Sequence, residues 1–317
     1  MRKKNDYLIK NIVFIDGIGR SGKTALSNVV ASLKNFESIE FNYNLENFLA
    51  GVKLGYIKIS FAKQFLIKML DEVAYDKFLA RRSNFRKGET TSVSNYAFPE
   101  IYKSRLKKKE GDKVIKEIIN SNKKFPFSTH DLMSMIKILY DLDLNFKIIE
   151  IYRNPIENVI SWYNKGLGKR FGKDKRLFRL EFTSGKNLNY PWFIKNDEKK
   201  WQKLNEIEKC AFYVIKMTKS SIREHRANKF KKNILAISLE KWLTNTNFEL
   251  KRICKFLKSN KTKKTIKIMK SLSLPRKLNN NEISKNKSFL KEKISEKLYK
   301  ELLILENRYN KKTYNLL

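Results

Sequence analysis

The sequence predicts an α/β fold in which a central, mostly parallel sheet of about five strands is flanked by helices on both sides. Three features of the 317-residue chain support this prediction. Short apolar runs alternate with amphipathic stretches, the first run continues through a glycine-rich turn into a helix, and 41% of the residues are hydrophobic. That fraction is ordinary for a globular protein with a buried core, and the length allows one large domain.

The first strand and helix enclose a phosphate-binding motif. Residues 12–15 are apolar, and the motif Gly17-x-x-x-x-Gly22-Lys23-Thr24 follows them closely. Four apolar residues then share one helical face: Leu26, Val29, Val30 and Leu33. A strand, a glycine-rich turn and a helix form the context of a P-loop, in which inward N–H groups, the helix N-terminus and a lysine hold an anion. The motif predicts an anionic ligand and leaves the reaction open.

Four further segments are predicted to be strands: residues 38–41, 125–130, 146–152 and 234–239. The third of them, FKIIEIY, is a continuous apolar run of the kind found in parallel sheets. Ligands of such sheets bind at the carboxyl ends of the strands. Because the P-loop, His130 and Arg153 each follow a predicted strand, we expect them to meet at one edge of the sheet.

Residues 44–122 are predicted to form a helical insertion. Five apolar residues recur there at intervals of four and indicate an amphipathic helix: Ile57, Phe61, Phe65, Met69 and Val73. The cluster of Arg81, Arg82 and Arg86 that follows suits either recognition of a second ligand or a solvated connection.

The second half of the chain contains two segments, residues 166–197 and 259–286, that are predicted to be loops. A last helix, at about residues 287–309, carries an apolar stripe that indicates core packing rather than a partner or a membrane surface. The stripe consists of Leu290, Ile294, Leu298, Leu302 and Leu305.

The charge of the chain is strongly positive. It has 69 Lys and Arg against 32 Asp and Glu, a formal net charge of +37. Such a charge suits a nucleic-acid or polyanion binder, but it also results from a compositional bias toward Lys, Asn and Ile. Because the lysines are spread over the whole chain, we favour the compositional explanation, with some attraction to anionic ligands, and expect no nucleic-acid partner.

Two features predict a cytoplasmic location. Cys210 and Cys254 have no metal-like spacing and are expected to be core thiols in a reducing compartment. No stretch is apolar and long enough to span a membrane, and the basic N-terminal residues lead into a strand rather than a signal peptide. We therefore expect no membrane partner.

A second anion site is predicted where the strand of residues 146–152 ends. Arg153 stands at the strand end, and Ser161 follows eight residues later on a helix that begins at Pro155. A guanidinium and a hydroxyl at this spacing can both reach one oxyanion. A nucleoside triphosphate does not need such a site, whereas a nucleotide with phosphates at both its 5′ and 3′ positions does.

With these residues, the chain resembles the sulfotransferases that use 3′-phosphoadenosine-5′-phosphosulfate (PAPS). The segment GIGRSGKT is similar to the family's 5′-phosphosulfate loop, and IYRNPIENVISWY is similar to its 3′-phosphate motif. The segment FSTHDL is similar to the one that carries the family's catalytic histidine. Weaker likenesses are SLEKWLTNTNFELKRICKFL, a late strand and helix, and the basic segment LPRK.

The resemblance implies a three-layer, P-loop NTPase-like fold with a single domain over residues 1–317. It assigns the 5′-phosphosulfate to Gly19, Arg20, Ser21, Gly22, Lys23, Thr24 and Ala25. It assigns the 3′-phosphate to Arg153 and Ser161, with Arg276 and Lys277 closing over it. It also implies that His130 is the general base and that Arg20 and Lys23 stabilise charge during transfer. The donor would be PAPS, the product 3′,5′-ADP, and no metal would be required.

Two residues depart from the family pattern. Lys23 replaces a usual threonine and completes a kinase-type GKT sequence, and Ser128 stands where a lysine often precedes the Thr-His pair. A P-loop kinase using Mg-ATP is therefore one alternative, with Thr24 ligating magnesium and Asp131 or Glu150 serving near a strand end. The other alternative is a non-catalytic binder of polyanions or nucleic acid.

The acceptor of the sulfuryl group is open at this point. A hydroxyl or amine of a carbohydrate or a small metabolite is the expected class. The helical insertion, with Arg81, Arg82 and Arg86, is expected to shape the acceptor site. The oligomeric state is also open.

Overall fold

The computed structural model describes residues 7–89, 91–142, 144–171, 173–184, 188–227, 231–278 and 280–312, and only the backbone at residues 280, 281 and 312. The predicted single domain of residues 1–317 therefore extends beyond the described residues at both ends.

The central sheet contains the five strands that the sequence predicts. The strands of the chain are β1 (Ile12–Asp16), β2 (Glu40–Phe41), β3 (Phe125–Ser128), β4 (Phe146–Tyr152), β5 (Glu181–Ser184), β6 (Leu188–Pro191) and β7 (Ile234–Ser238). The sheet order is β2-β3-β1-β4-β7, and every neighbouring pair is parallel. The α/β class and the parallel sheet are confirmed.

The order of the strands determines where the functional segments lie. Strand β1 is central and pairs with β3 on one side and β4 on the other. In this register Ile15 is opposite Ser128, and Asp16 is opposite Glu150. The loop after β1 is therefore bordered by the residues that follow β3 and by those that follow β4.

Fifteen α-helices surround the strands in the described part of the chain. They are α1 (Lys23–Ala31), α2 (Tyr43–Lys53), α3 (Ile59–Phe78), α4 (Pro99–Arg105), α5 (Asp112–Asn120), α6 (Ile136–Asp141), α7 (Pro155–Tyr163), α8 (Leu167–Arg170), α9 (Glu198–Gln202), α10 (Glu206–Ala227), α11 (Leu239–Thr244), α12 (Thr246–Leu257), α13 (Lys263–Ser271), α14 (Asn280–Lys293) and α15 (Glu296–Lys312). None of them is long and apolar enough to cross a membrane, in the part of the chain that is described.

Helices cover both faces of the sheet, so the core has two layers. Val13 and Ile15 of β1 point into a smaller layer with α1, α11, α12 and α13. Ile12 and Phe14, the alternate residues of the same strand, point into a larger layer with most of the other helices. This alternation is the normal two-residue period of a strand that is buried on both faces.

The two predicted loops are partly wrong. Residues 166–197 contain α8 and an antiparallel hairpin of β5 and β6; residues 172 and 185–187 lie outside the described part. Residues 259–286 contain α13 and the start of α14, and residue 279 lies outside the described part. Residues 166–197 are basic and contain several glycines, and residues 259–286 are polar and rich in Lys and Asn, which favoured loops over regular elements.

The apolar stripe near the C-terminus packs in the core, as predicted. It spans two consecutive helices, α14 and α15, with Ile294 in the turn between them, rather than lying on one helix. Its five residues are all buried: Leu290, Ile294, Leu298, Leu302 and Leu305.

Helix α3 differs from the prediction in the face that it buries. The buried face consists of Ala62, Leu66, Leu70, Val73 and Ala74. Of the residues that recur at intervals of four, Phe61 and Phe65 point outward and are 59% and 44% exposed. The helix thus has two apolar faces, and the smaller side chains of one of them fit against the core.

Candidate active site

The P-loop after β1 has a backbone that depends on glycine. Gly17 and Gly22 have φ angles of 151° and 87°, in a region that favours glycine. A Cβ atom at Gly19 would lie 2.4 Å from Cζ2 of Trp162, and one at Gly22 would lie 2.5 Å from Cδ1 of Leu239. The loop is therefore packed closely against α7 and α11, and its shape needs these glycines.

Two aromatic residues hold the loop at Gly19. The indole Nε1 of Trp162 donates a hydrogen bond to the Gly19 carbonyl oxygen over 2.7 Å. The Gly19 N–H donates to the hydroxyl of Tyr213 over 3.4 Å. Both backbone groups of Gly19 thus have partners, on α7 and on α10, and the loop is tied to the larger core layer.

Lys23 lies under the loop and is 4% exposed. Its Nζ donates to the carbonyl oxygens of Gly17, at 3.1 Å, and Ile18, at 3.4 Å. Burial lowers the pKa of Lys23, and the charge of Asp16 opposes that shift. The ammonium therefore has carbonyl partners beside the loop, next to the place where an anion would lie.

Ser21 provides an unused hydrogen-bonding group in the same loop. Its side chain is fully buried, and its Oγ has no hydrogen-bond partner among the described residues. Buried polar atoms almost always have a partner. An unsatisfied hydroxyl in a P-loop fits a bound anion, which would supply the missing acceptor.

The predicted second anion site adjoins the P-loop. The Arg153 guanidinium donates to the Arg20 carbonyl oxygen over 3.1 Å. The Nε of Arg20 in turn donates to the Ser161 hydroxyl over 3.2 Å. Arg153 also forms a 3.8 Å ion pair with Glu157, one turn later on α7. The residues predicted to bind the two phosphates thus form one connected group.

A local motif explains how α7 presents these side chains. The helix begins with Asn154 and Pro155 directly after β4. The Asn154 side chain accepts hydrogen bonds from the N–H groups of Ile156 and Glu157, at 2.9 and 3.4 Å. This cap fixes the turn from strand to helix, so that Arg153 and Ser161 face the same side.

A cavity of about 660 Å³ joins the predicted segments. Nine of the predicted site residues line it: Gly19, Arg20, Gly22, Lys23, Thr24, Ala25, His130, Arg153 and Arg276. Three others lie near it without lining it. Ser21 is beneath the loop, Ser161 is bonded to Arg20, and Lys277 is exposed next to Arg276.

One part of this cavity is an apolar slot. Ala25, Leu239, Trp242, Leu243 and Leu278 line it, close to Arg276. The Arg276 N–H donates to the Leu243 carbonyl oxygen over 2.8 Å, which ties the basic segment of residues 274–277 to α11. A flat ring with an attached anionic group would match this combination of surfaces.

His130 lies at the other part of the cavity and contacts Glu46 of α2. One Glu46 carboxylate oxygen accepts the His130 backbone N–H at 2.9 Å and lies 3.2 Å from the ring Nδ1. Burial and the charge of Lys23 hold the pKa of His130 well below its usual value. The imidazole is therefore neutral at neutral pH, with Nδ1 directed at Glu46.

Glu46 is a site residue that sequence reasoning missed. Burial raises the pKa of Glu46 to about 8, against the opposing charges of Arg179 and Lys23. Its side chain is 13% exposed and lines the cavity. The only sequence signal was a carboxylate in the first turn of a helix that follows a short strand, and this signal is weak.

Asp131, one of the two carboxylates considered for a kinase, stands at the start of a short helical turn. Its side chain makes no capping bond. Both carboxylate oxygens instead accept from the Tyr213 hydroxyl, at 2.8 and 2.9 Å, and one pairs with Arg179 at 3.0 Å. Burial raises the pKa of Asp131, and Arg179 opposes that shift. This group connects the site to α10 and to the loop that follows α8.

Glu150, the other carboxylate considered for a kinase, is 2% exposed inside the sheet and does not line the cavity. It accepts a hydrogen bond from the Ser221 hydroxyl over 2.9 Å. Burial raises the pKa of Glu150 well above its usual value, and the neighbouring Asp16 adds to the shift. Across the described residues, no three His, Cys, Asp or Glu side chains are grouped so that they could hold a metal ion.

The arginines of the helical insertion lie outside this cavity. Arg81, Arg82 and Arg86 pair with Glu110, Glu40 and Glu89, at 2.5, 3.0 and 3.6 Å. Arg82 lines a separate cavity of about 340 Å³ between β2 and the loop of residues 83–96.

Other arginines line the main cavity instead. They are Arg170, Arg176 and Arg179. Arg170 and Arg176 both bind Asp174, at 2.5 and 2.9 Å. The sequence placed them in a segment without a recognisable motif, so that only the structure brings them to the site.

Comparison with known proteins identifies the family. A family model described as a sulfotransferase domain matches residues 10–303, which is most of the chain. A search of curated protein sequences gave no significant match.

Several solved sulfotransferase structures align with much of this chain at low identity. A sulfotransferase domain from the curacin biosynthetic pathway is 13% identical, over 82% of this chain and 78% of that one, with a TM-score of 0.45. A sulfotransferase from Alicyclobacillus acidocaldarius is 10% identical, over 94% and 96%, with a TM-score of 0.42. Mouse sulfotransferase SULT7A1, complexed with PAP, is 13% identical, over 90% and 69%, with a TM-score of 0.31. These values are too low to transfer ligands or residue roles.

Proposed function

The chain belongs to the sulfotransferase family and is an enzyme of sulfuryl transfer, and we propose that its donor is PAPS, bound in the 660 Å³ cavity. The observation that carries this proposal is the hydrogen-bonded connection of Arg20, Arg153 and Ser161 beside the P-loop. This group supplies hydrogen-bond donors for a phosphate at the 3′ position of a nucleotide. A nucleoside triphosphate has no phosphate at that position. Family membership also selects this function over the kinase and the polyanion binder.

The residues of the cavity fit the donor in three ways. The glycine backbone of residues 17–22 and the unpartnered Ser21 hydroxyl suit the 5′-phosphosulfate. Arg153 and Ser161, with Arg276 and Lys277 at the rim, suit the 3′-phosphate. The slot of Leu239, Trp242 and Leu243 suits the adenine ring.

The donor supplies a sulfuryl group, and the protein supplies position and charge. Gly19, Arg20, Gly22, Lys23, Thr24 and Ala25 line the cavity at the place proposed for the 5′-phosphosulfate. Arg20 and Lys23 stabilise the negative charge that develops on the bridging oxygen when its bond to sulfur breaks. Thr24 and Ser21 add hydroxyl hydrogen bonds. Lys23 is already buried beside the loop, so its side chain needs to move little when the donor binds.

His130 is proposed to be the general base. Its Nδ1 contacts Glu46, which leaves Nε2 to accept the proton of the acceptor hydroxyl or amine while the acceptor atom bonds to sulfur. The lowered pKa of His130 keeps the ring neutral and able to take this proton. Glu46 is a positioning residue: as a carboxylate it accepts the Nδ1–H and stabilises the imidazolium that forms.

The acceptor side of the cavity suits a substrate with a planar or apolar part and negative charge. The ring of Tyr43 lies parallel to His130, with centroids 6.4 Å apart, and Phe178 is 5.6 Å from Tyr43. Arg170, Arg176 and Arg179 supply positive charge there. We therefore propose that these three arginines, rather than Arg81, Arg82 and Arg86, shape the acceptor site. A carbohydrate or a small metabolite remains the proposed acceptor class.

The proposal extends to the domain organisation and the location of the protein. We treat residues 1–317 as one domain, since both core layers share the central sheet. We propose a cytoplasmic location because Cys210 and Cys254 are free thiols, with Cys210 buried.

Calorimetry with 3′,5′-ADP and with ATP, each with and without magnesium, tests the proposed donor. We expect tight binding of 3′,5′-ADP that does not depend on magnesium, because the clamp consists of protein donors. Binding of Mg-ATP without any binding of 3′,5′-ADP would contradict the proposal.

A further inference from the structure

An exposed aromatic surface lies beside the catalytic cavity. The described part of the chain exposes fourteen large apolar side chains, and five of them lie within residues 43–65. They are Tyr43, Tyr56, Ile59, Phe61 and Phe65. A sixth, Phe178, lies 5.6 Å from Tyr43. We call the outward side of α2 and α3, from Tyr43 to Phe65, the α2–α3 face.

Three aromatic rings of this face form a cluster that begins at the core, where Phe48 packs, and extends outward. Phe48 and Phe65 are stacked with centroids 4.5 Å apart, and Phe61 and Phe65 are 5.8 Å apart. A hollow of about 510 Å³ lies between the two helices and is lined by Phe48, Phe65 and Met69. A contiguous apolar patch of this kind on a soluble surface marks an interaction site.

The fold does not explain these side chains. Helix α3 already packs against the core through Ala62, Leu66 and Leu70, which are fully buried. Phe61 and Phe65 lie on its other side and are more than two-fifths exposed. The exposed parts of these two rings gain nothing from folding, and a surface that covered them would bury that remaining apolar area.

The surroundings of the face are positively charged. Lys58, just before α3, and Lys68 on α3 are exposed, and the Lys195 ammonium lies 5.1 Å from the centre of the Tyr56 ring. Glu72 lies at the C-terminal side of the hollow, away from Tyr56 and Phe61. The chain as a whole has a formal net charge of +37. Whatever covers the face must therefore be apolar at its centre and negative around it.

We propose that the α2–α3 face docks on an anionic lipid surface. Aromatic side chains that enter the headgroup region, together with lysines that pair with anionic lipids, are the two components of interfacial binding. The cytoplasmic leaflet of a membrane has the required negative charge. This proposal revises the expectation that the protein has no membrane partner.

A second copy of the chain fits the face less well. A symmetric dimer would place the same face against itself, so that the lysines of one copy would meet those of the other. Each copy also has a formal charge of +37, which opposes association. An anionic lipid surface satisfies both the rings and the lysines.

Docking would also orient the catalytic cavity. Tyr43 and Glu46 of α2 line that cavity, and Asn44, Asn47 and Phe48 of the same helix line the neighbouring hollow. The Asn47 amide donates to the Phe178 carbonyl oxygen over 2.8 Å, which joins the cavity rim to the face. A lipid surface at the face would therefore lie next to the cavity mouth.

Vesicle co-sedimentation of the full chain tests the proposal. We expect binding to vesicles of equal parts phosphatidylcholine and phosphatidylglycerol, and little binding to phosphatidylcholine alone. The double variant Phe61→Ser/Phe65→Ser should weaken binding at least about tenfold, because it removes two aromatic side chains that would enter the headgroup region. The matched control is Phe248→Ser, which removes an equally exposed phenylalanine from α12.

Binding of 3′,5′-ADP and the circular dichroism spectrum show whether each variant is folded, because Phe61 and Phe65 do not line the catalytic cavity. Equal vesicle binding by the double variant and the parent chain would overturn the proposal in favour of diffuse charge attraction. Absence of binding by the parent chain would also overturn it. So would a dimer that the double variant abolishes while vesicle binding persists. None of these outcomes depends on the identity of the sulfuryl donor.

Discussion

The guanidinium of Arg153 donates a hydrogen bond to the main-chain carbonyl oxygen of Arg20, 3.1 Å away, although 133 positions separate the two residues. Arg20 then reaches Ser161 through its own side chain. The end of β4 and the loop after β1 are thereby joined into one group of donors. A ligand with two anionic ends can hold both parts at once, and each part positions the other.

The first prediction concerns Arg153. Arg153→Ala should weaken 3′,5′-ADP binding about 10- to 100-fold, because a charge-assisted hydrogen bond contributes roughly 1.5–3 kcal/mol. Ser161→Ala should have a smaller effect, since it removes a neutral donor. Calorimetry measures both. Arg223→Ala, at a side chain that is 70% exposed on α10, is the matched control and should bind like the parent chain. Unchanged affinity in Arg153→Ala would remove this residue from the proposed site.

The second prediction concerns His130. His130→Ala should reduce the rate of sulfuryl transfer by about 10²–10⁴-fold, the usual contribution of a general base. Binding of 3′,5′-ADP should change little, because the donor is held by the P-loop and Arg153. Single-turnover kinetics measures the rate once an acceptor has been found by screening. Transfer at the parental rate in this variant would rule out His130 as the base.

The third prediction is a pH dependence that Glu46 controls. Burial raises the pKa of Glu46 to about 8, so this carboxyl loses its proton as the pH rises through that value. The carboxylate stabilises the imidazolium that forms on His130 better than the neutral acid does, and the rate of transfer should therefore increase with pH, with a midpoint near 8. The pKa of His130 is lowered, so its own titration lies at lower pH.

The Glu46→Gln variant should transfer the sulfuryl group more slowly than the parent chain. Its rate should not increase with pH near 8, because the amide does not titrate. A pH–rate profile of the two proteins, with 3′,5′-ADP affinity as the folding control, makes the comparison. If the variant kept the same midpoint near pH 8, the titrating group would be a different one.

The fourth prediction concerns stability. Arg105 of the helical insertion pairs with Glu37, which precedes β2, with side chains 6% and 1% exposed and an Nη1–Oε2 distance of 2.6 Å. Arg105→Ala should lower the free energy of unfolding by about 3–5 kcal/mol, because it leaves a buried carboxylate without its arginine partner. Urea unfolding measures the loss. Arg86→Ala, whose side chain is 83% exposed, is the control and should change stability by less than about 1 kcal/mol.

The same pair predicts how stability varies with pH. Burial acts to raise the pKa of Glu37, but the hydrogen bonds and charge of Arg105 outweigh it and lower that pKa. A lowered carboxyl pKa means that its contribution to stability is present above the unfolded value and is lost as the pH falls. In Arg105→Ala this acid-dependent loss should be smaller. An unchanged acid dependence in the variant would contradict this role for the pair.

The arrangement of the sheet and of the phosphate-binding segments could be predicted because both depend on local patterns. Five apolar runs, a glycine-rich turn and the Arg-Asn-Pro helix start each act over a few neighbouring residues. The rule that parallel strands bind ligands at their carboxyl ends then places His130 and Arg153 beside the P-loop. The polar segments of residues 166–197 and 259–286 lack such patterns, so their hairpin and helices were missed.

The amino-acid sequence alone thus predicted the fold class and the residues that are proposed for the two halves of the donor site. The tertiary structure alone decided that Glu46, 84 positions away, contacts His130. It also decided that Phe61 and Phe65 face outward, although their spacing suits a buried stripe. The physical reason is the same in both cases. The side of a helix that packs against the rest of the chain decides which side chains find distant partners and which face solvent. Residue spacing along the helix defines its faces but does not say which face is buried.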